Sequence, residues 1–331
     1  MLRRTLTVGT LYSDNQKKLK LQLLGSQAGF GRTITAPQLH RPGLALSGFL
    51  DLFTHDRIQI LGNTEIQYLG SLSAGERQES LRKVLNYELP CIIITDNNRA
   101  PKELVPLADK RKICVFRSKY PTMEFFHYLQ DYLNNEFAPR TTVHGTLVDV
   151  YGIGVLFTGR SGIGKSEIAL DLIERGHRLV ADDVVIITKK AEEILMGEGR
   201  ELAEHHLEIR GLGLIDTRST FGIRAVRVHK RIEVEVQLVD FDPKSDYDRT
   251  GLDEHHTTIL DVKIPLVVLP INPGKNITVI AETIALNQLL KIYGHHTPEE
   301  FNKKLIKKMK QQEQKHLHDL KMRDFLDKDF E

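Results

Sequence analysis

The sequence predicts an α/β fold in two parts, and three observations predict it. Short apolar runs of strand length alternate with amphipathic helical stretches up to about residue 135. A turn-rich break, "APRTTVHG", follows at 138–145. Beyond it a glycine-rich loop, "GRSGIGKS" at 159–166, joins an apolar run to a helical pattern.

In the first part, "CIIITD" at 91–96 and "ICVFRS" at 113–118 read as buried strands. "AGERQESLRKVLNYE" at 74–88 and "TMEFFHYLQDYLNNEF" at 122–137 carry apolar residues at helical spacing. No nucleotide motif occurs there. The expected domains are 1–135, 136–315 and a charged tail, 316–331. In the second part "TLVDVYG" at 146–152 and "VLFTG" at 155–159 read as strands, and "KSEIALDLIERG" as a helix closed by Gly176. "HRLVADDVVIIT" at 177–188 reads as one further strand, and "TIALNQLLKIYG" at 283–294 as an amphipathic helix. From 299 onward the chain is charged with sparse apolar positions, the pattern of an exposed helix fraying into a tail.

Composition narrows the class. The 331 residues are 40% hydrophobic and 27% charged, as in a soluble globular protein. A formal charge of +2 gives no global attraction to nucleic acid or membrane. The two cysteines, Cys91 and Cys114, fall in apolar runs, so buried free thiols and a reducing compartment are expected. No apolar run reaches membrane-spanning length and the first residues lack a signal-like apolar core, so a cytoplasmic location is expected.

The loop carries the chemistry. Gly159, Arg160, Ser161, Gly162, Ile163, Gly164, Lys165 and Ser166 form the pattern G-x-x-x-x-G-K-S. Its glycines let successive amides turn inward as an anion nest, and the helix that follows adds its positive end. Lys165 reaches the β- and γ-phosphates of a nucleotide, and the Ser166 hydroxyl suits Mg²⁺. Strand, loop, helix and strand is the context such a loop requires. Asp182 and Asp183 interrupt an apolar strand, where two carboxylates are costly without donors or a cation. Alternation along a strand sends them to opposite faces, so one is expected to assist Mg²⁺ and the other to act on a proton. In "LEIRGLGLIDT" at 207–217, Glu208 and Arg210 are either an ion pair or part of an active-site loop. Taken singly, His144 and Arg249 read as ordinary structural residues.

Together these segments resemble bacterial HPr kinase/phosphorylase. The resemblance rests on "VHGTLVDVYGIGVLFTGRSGIGKSE", "RGHRLVADDVV", "LEIRGLGLIDT", "YDRTGLDE" and "LPINPGKN". In the first part "HRPGLALSGFLDLF" at 40–53 and "RIQILGNTE" at 57–65 add to it, so it runs from about residue 20 to about 300. It implies a P-loop kinase domain resembling phosphoenolpyruvate carboxykinase, with ATP and Mg²⁺ as cofactors and HPr, a phosphocarrier protein, as the protein substrate. It implies phosphorylation of a serine of HPr, phosphorolysis of phosphoserine-HPr that releases pyrophosphate, and a homohexamer. By position it makes Lys165 catalytic, Ser166 and Glu208 metal contacts, and Asp183 the base, or acid in the reverse direction, which leaves Asp182 as the carboxylate expected to assist Mg²⁺. His144 and Arg249 match the family's other active residues. The family's dephosphorylation segment falls on Pro270, Ile271, Asn272, Pro273, Gly274 and Lys275. There Asn272 and Lys275 stand where arginines are usual, which weakens the grip on phosphate. Lys303, Lys304, Lys307, Lys308 and Lys310 form either a solvated helix face or a docking surface for HPr.

A GTPase would want N-K-x-D, and the nearest stretch, "NKKL" at 302–305, lacks the aspartate. A small-molecule P-loop kinase has no reason to carry "LEIRGLGLID". A nucleotide-binding regulator would not need Lys165, Asp183 and Glu208 together.

Overall fold

The computed structural model describes residues 6–200, 205–244, 254–272, 274–296, 299–300 and 302–312. The chain divides into two compact units, Met1–Pro139 and Arg140–Glu331. Arg249, Pro273 and the tail 316–331 lie outside the described residues.

The first unit holds β1 (Leu6–Thr7), α1 (Val8–Asn15), β2 (Gln22–Leu23), β3 (Thr33–Ile34), β4 (Leu39–His40), α2 (Gly43–Leu46), β5 (Ile58–Leu61), α3 (Asn63–Ser71) and α4 (Ala74–Leu85). β6 (Cys91–Ile94), α5 (Leu104–Lys110), β7 (Cys114–Arg117) and α6 (Thr122–Glu136) complete it. Its main sheet runs β2-β7-β6-β5-β4, with β4 to β7 parallel and β2 antiparallel. Every residue of β5 and β6 is buried, as a parallel sheet covered on both faces demands. Residues of α2 to α5 build the core on one side, and those of α1 and α6 the core on the other. Cys91 and Cys114 are free, buried and register partners, and burial raises both thiol pKa values.

Two stretches singled out in the sequence prove to be neighbours here. β4 and β5 pair in parallel, and His40 Nδ1 meets Gln59 Oε1 at 3.0 Å. Arg41, just past β4, donates to Glu65 of α3 at 2.8 Å, and Glu65, only 4% exposed, also accepts the Gly62 amide. These contacts tie "HRPG" to "QILGNTE".

The second unit contains β8 (Arg140–His144), β9 (Thr146–Val150), β10 (Ile153–Thr158), α7 (Lys165–Glu174), β11 (Arg178–Ala181), β12 (Val184–Ala191), β13 (Ile194–Glu198), β14 (His206–Ile209), β15 (Gly213–Asp216) and α8 (Thr217–Phe221). After these come β16 (His229–Arg231), β17 (Val234–Asp240), β18 (His256–Ile259), β19 (Val262–Ile271) and α9 (Ile277–Ile292). A six-stranded mixed sheet runs β11-β9-β10-β17-β19-β18, with β10, β17 and β19 parallel. A four-stranded sheet runs β16-β13-β12-β8, and β14-β15 is a hairpin. All six residues of β10 are buried, and Phe157 and Val155 share a core with Ile168, Ala169 and Leu172 of α7 and with Ala281 and Ala285 of α9. That packing fixes the loop between β10 and α7.

The single strand expected over 177–188 is two strands. β11 ends at Ala181, Asp183 takes a left-handed φ of 63°, and β12 begins at Val184 in a different sheet. The Gly145 amide donates to the Asp183 carbonyl at 3.1 Å and holds the bend. The helix expected at 283–294 starts earlier, at Ile277, because the Asn276 side chain accepts the Val279 amide as an N-cap. Residues 302–312 are helical, and Lys303, Lys307 and Lys308 are exposed on them.

Behind α7, Glu282 ties α9 to the turn that joins α7 to β11. Its carboxylate accepts Arg175 Nε at 2.9 Å and Nη2 at 2.7 Å, and His177 Nε2 at 3.0 Å. Chiefly through Arg175, its pKa is lowered to about 2. A depressed carboxyl adds stability that is complete above its ordinary value, 4.5, and is lost as pH falls toward 2. Glu282→Gln is therefore expected to lower Tm by roughly 3–6 °C at neutral pH. Thermal melts from neutral pH down to 3 test this: the gap between wild type and variant should shrink as the medium acidifies, and a constant gap contradicts it.

Candidate active site

Three glycines shape the loop. Gly159, Gly162 and Gly164 have φ of 139°, 75° and 105°, a region that disfavours side chains. At Gly159 a Cβ would sit 2.6 Å from the Leu238 carbonyl of the neighbouring strand, so only glycine fits. Gly164 caps α7, and the helix opens directly with Lys165 and Ser166.

Lys165 is 6% exposed. Its ammonium donates to the carbonyls of Gly159 and Arg160, both at 3.1 Å, and lies 3.4 Å from His144 Nε2. Burial lowers its pKa, against the pull of Asp182, Asp183 and Glu167. His144 Nδ1 meets Asp183 Oδ1 at 3.1 Å. An ammonium only donates and a carboxylate only accepts, so neutral His144 carries its proton on Nδ1 and accepts on Nε2. The register pairing of Val184 with His144 sets Asp183 beside the histidine.

Asp182 faces the other way. It is 8% exposed and accepts Ser166 Oγ at 2.9 Å, Thr146 Oγ1 at 2.5 Å and the Glu208 amide at 3.3 Å. It thus joins β9, α7 and β14. Asp183 is 64% exposed. The two aspartates sit in contrasting surroundings because the chain bends between them, and not through strand alternation.

In the β14–β15 hairpin Leu207 and Ile209 enter the core, while Glu208 and Arg210 project into the cleft. Among the described residues no ion pair joins these two charges. Sequence reasoning left Arg210 open between an ion pair with Glu208 and an active-site loop, and the cleft includes it. Its guanidinium lies over the loop, where a Cβ on Gly162 would be 2.5 Å from Nη1.

His144, Lys165, Ser166, Asp182, Asp183 and Glu208 line one cleft, with Ser161, Gly162 and Gly164. Arg160 does not join them: it grips Asp240 in a bidentate pair at 2.7 and 2.8 Å. Ile163 is buried in the core. Pro270 and Ile271 end β19, Asn272 lines neither cleft, and Gly274 and Lys275 line a second cleft that shares Gly164 and Glu167 with the first. The donors offered to a cation, Ser166, Asp182 and Glu208, are all oxygen, which suits Mg²⁺. No cage of three or more His, Cys, Asp or Glu side chains occurs among the described residues. Mg²⁺ at phosphate sites takes one or two carboxylates beside phosphate oxygens and water, so these residues fit it.

A phosphate loop opening onto a histidine–aspartate pair, on a mixed sheet, defines a P-loop phosphotransferase. The HPr Serine kinase C-terminal domain family matches residues 135–305, and the HPr Serine kinase N terminus family matches 6–133. A protein named HPr kinase/phosphorylase from Chloroherpeton thalassium is 49% identical over 92% of this chain and 90% of its own. One of the same name from Prosthecochloris aestuarii is 46% identical over 93% and 91%. The solved Hpr(Ser) kinase/phosphatase from Coxiella burnetii is 34% identical and covers 49% of this chain and 98% of its own, with a TM-score of 0.44. The chain belongs to the HPr serine kinase family. The matches reach beyond the span of residues 20 to 300 expected from sequence.

Proposed function

We propose that this chain transfers the γ-phosphoryl group of ATP to a serine of HPr, and that inorganic phosphate removes it again as pyrophosphate. The observation that carries this reading is the arrangement of Lys165, His144 and Asp183 in one cleft at the mouth of the loop. Full-length similarity to proteins named HPr kinase/phosphorylase supports it.

The loop amides and Lys165 hold the phosphates, and Lys165 neutralises charge on the transferring group. Asp183, exposed at the cleft mouth, accepts the proton of the attacking serine hydroxyl. His144 holds Asp183 through Nδ1 and is itself fixed by Lys165. In the reverse direction phosphate oxygen attacks the phosphoserine, the serine oxygen leaves, and the same carboxyl returns a proton to it. Ser166, Asp182 and Glu208 would hold Mg²⁺, which supplies charge neutralisation on phosphate oxygens. Arg249 is assigned a further positive charge by family position alone. The family also implies a homohexamer. No helix among the described residues is long and apolar enough to cross a membrane.

Incubation with ATP, Mg²⁺ and HPr, followed by mass spectrometry, tests the reading. HPr should gain one phosphoryl group, and lose it again on addition of phosphate with release of pyrophosphate. An HPr that stays unmodified overturns it.

Asn272 lines neither cleft, and by family position alone it is expected to set the balance. Phosphorolysis gathers phosphate beside a phosphoserine, and a neutral amide offers less there than an arginine fork. Asn272→Arg is expected to raise pyrophosphate release several-fold while changing kinase turnover less. Strong release by wild type at low millimolar phosphate would show that position 272 does not limit the reaction.

A further inference from the structure

The first cleft is lined only by polar, charged and glycine residues, so it offers no apolar side chain to a purine or pyrimidine ring. The second cleft differs. It has a volume of about 460 Å³, a usual size for a small-molecule pocket, and Ile163, Ile168, Ile271 and Ile277 line it. Glu167, Asp171, Lys275, Asn276 and Thr278 add polar and charged groups, and Thr278 Oγ1 donates to Asp171 Oδ2 at 3.1 Å.

The two clefts meet at Gly164 and Glu167, the residues that flank Lys165 and Ser166. Phosphates in the loop have their γ end at Lys165, toward His144 and Asp183. The α end must leave elsewhere. The second cleft begins at the loop and lies at the carboxyl end of β19, one of the parallel strands, where ligands of such sheets bind. From Gly164 to Asp171 is two turns of α7, about 10 Å at the helical rise, the length of a ribose with its base.

We infer that this second cleft is the nucleoside subsite: the isoleucines hold the base, and Asp171 or Asn276 meets the ribose hydroxyls. The inference rests on the nucleotide-dependent reading above. It divides the site into a polar compartment for phosphoryl transfer and one with isoleucine walls for the base.

Calorimetric titration of the full chain with ATP and with inorganic tripolyphosphate tests the division. Ile277→Trp fills the cleft and Ile277→Ala removes a contact, and both leave the loop untouched. Each is expected to lower the ratio of ATP to tripolyphosphate affinity, by about tenfold for the tryptophan. Melting curves check that the variants are folded. Parallel loss of both ligands, or an unchanged ratio in both variants, overturns the subsite and leaves the phosphate loop standing. A wild type that binds neither ligand overturns the phosphate-loop reading and the subsite with it.

Discussion

Lys165→Ala should abolish phosphoryl transfer in both directions, with turnover falling by about 10³-fold. The side chain is buried at the mouth of the loop and its ammonium is aimed by two loop carbonyls and His144. Burial lowers its pKa, the mark of a cation kept partly from water, where it acts on phosphate more strongly than a solvated one. No other described lysine lines the cleft. Loss of this ammonium also frees His144 Nε2, so the orientation of Asp183 loosens. The fold should persist, because Ile168, Ala169 and Leu172 anchor α7 and alanine is a good helix former. Kinase and pyrophosphate-release assays beside a melting curve check this. Near-normal turnover in either direction would remove Lys165 from the mechanism.

The loop was legible because its physics is local. Three positive φ angles, a strand before and a helix after need only nearby residues, and glycine and lysine advertise them. The bend at Asp182 and Asp183 was not legible. Aspartate tolerates the left-handed region without announcing it, and the contact that holds the bend comes from Gly145, far away in sequence. Period-two reasoning therefore placed the two carboxylates on opposite faces of a strand that does not exist. Arg210 was half legible: "LEIR" alternates, but nothing local says that the hairpin folds over Gly162. The start of α9 was missed because "ITVIAE" is apolar on most sides and reads as well for a strand. In the first unit, the meeting of Arg41 with Glu65 depends on the pairing of β4 with β5, which no local pattern fixes.

The contrast between the two aspartates gives the second large effect. Asp183→Asn keeps the volume, tolerates the left-handed φ and still accepts His144 Nδ1 through its amide oxygen. It cannot take a proton. Kinase turnover is expected to fall by about 10²-fold or more, with ATP affinity little changed. Asp182→Asn should act differently. Its carboxylate accepts from Ser166, Thr146 and the Glu208 amide, so an amide nitrogen there would face donors and one contact would be lost. That change reaches the residues assigned to Mg²⁺, so a raised Mg²⁺ requirement and a lower Tm are expected. Measuring kcat at saturating ATP, nucleotide affinity and the Mg²⁺ dependence of both variants separates the roles. A turnover defect at constant affinity in Asp182→Asn, with Asp183→Asn near normal, would reverse the assignment. Proton transfer would then belong to the buried carboxylate, and the His144 pair would serve only to hold the bend.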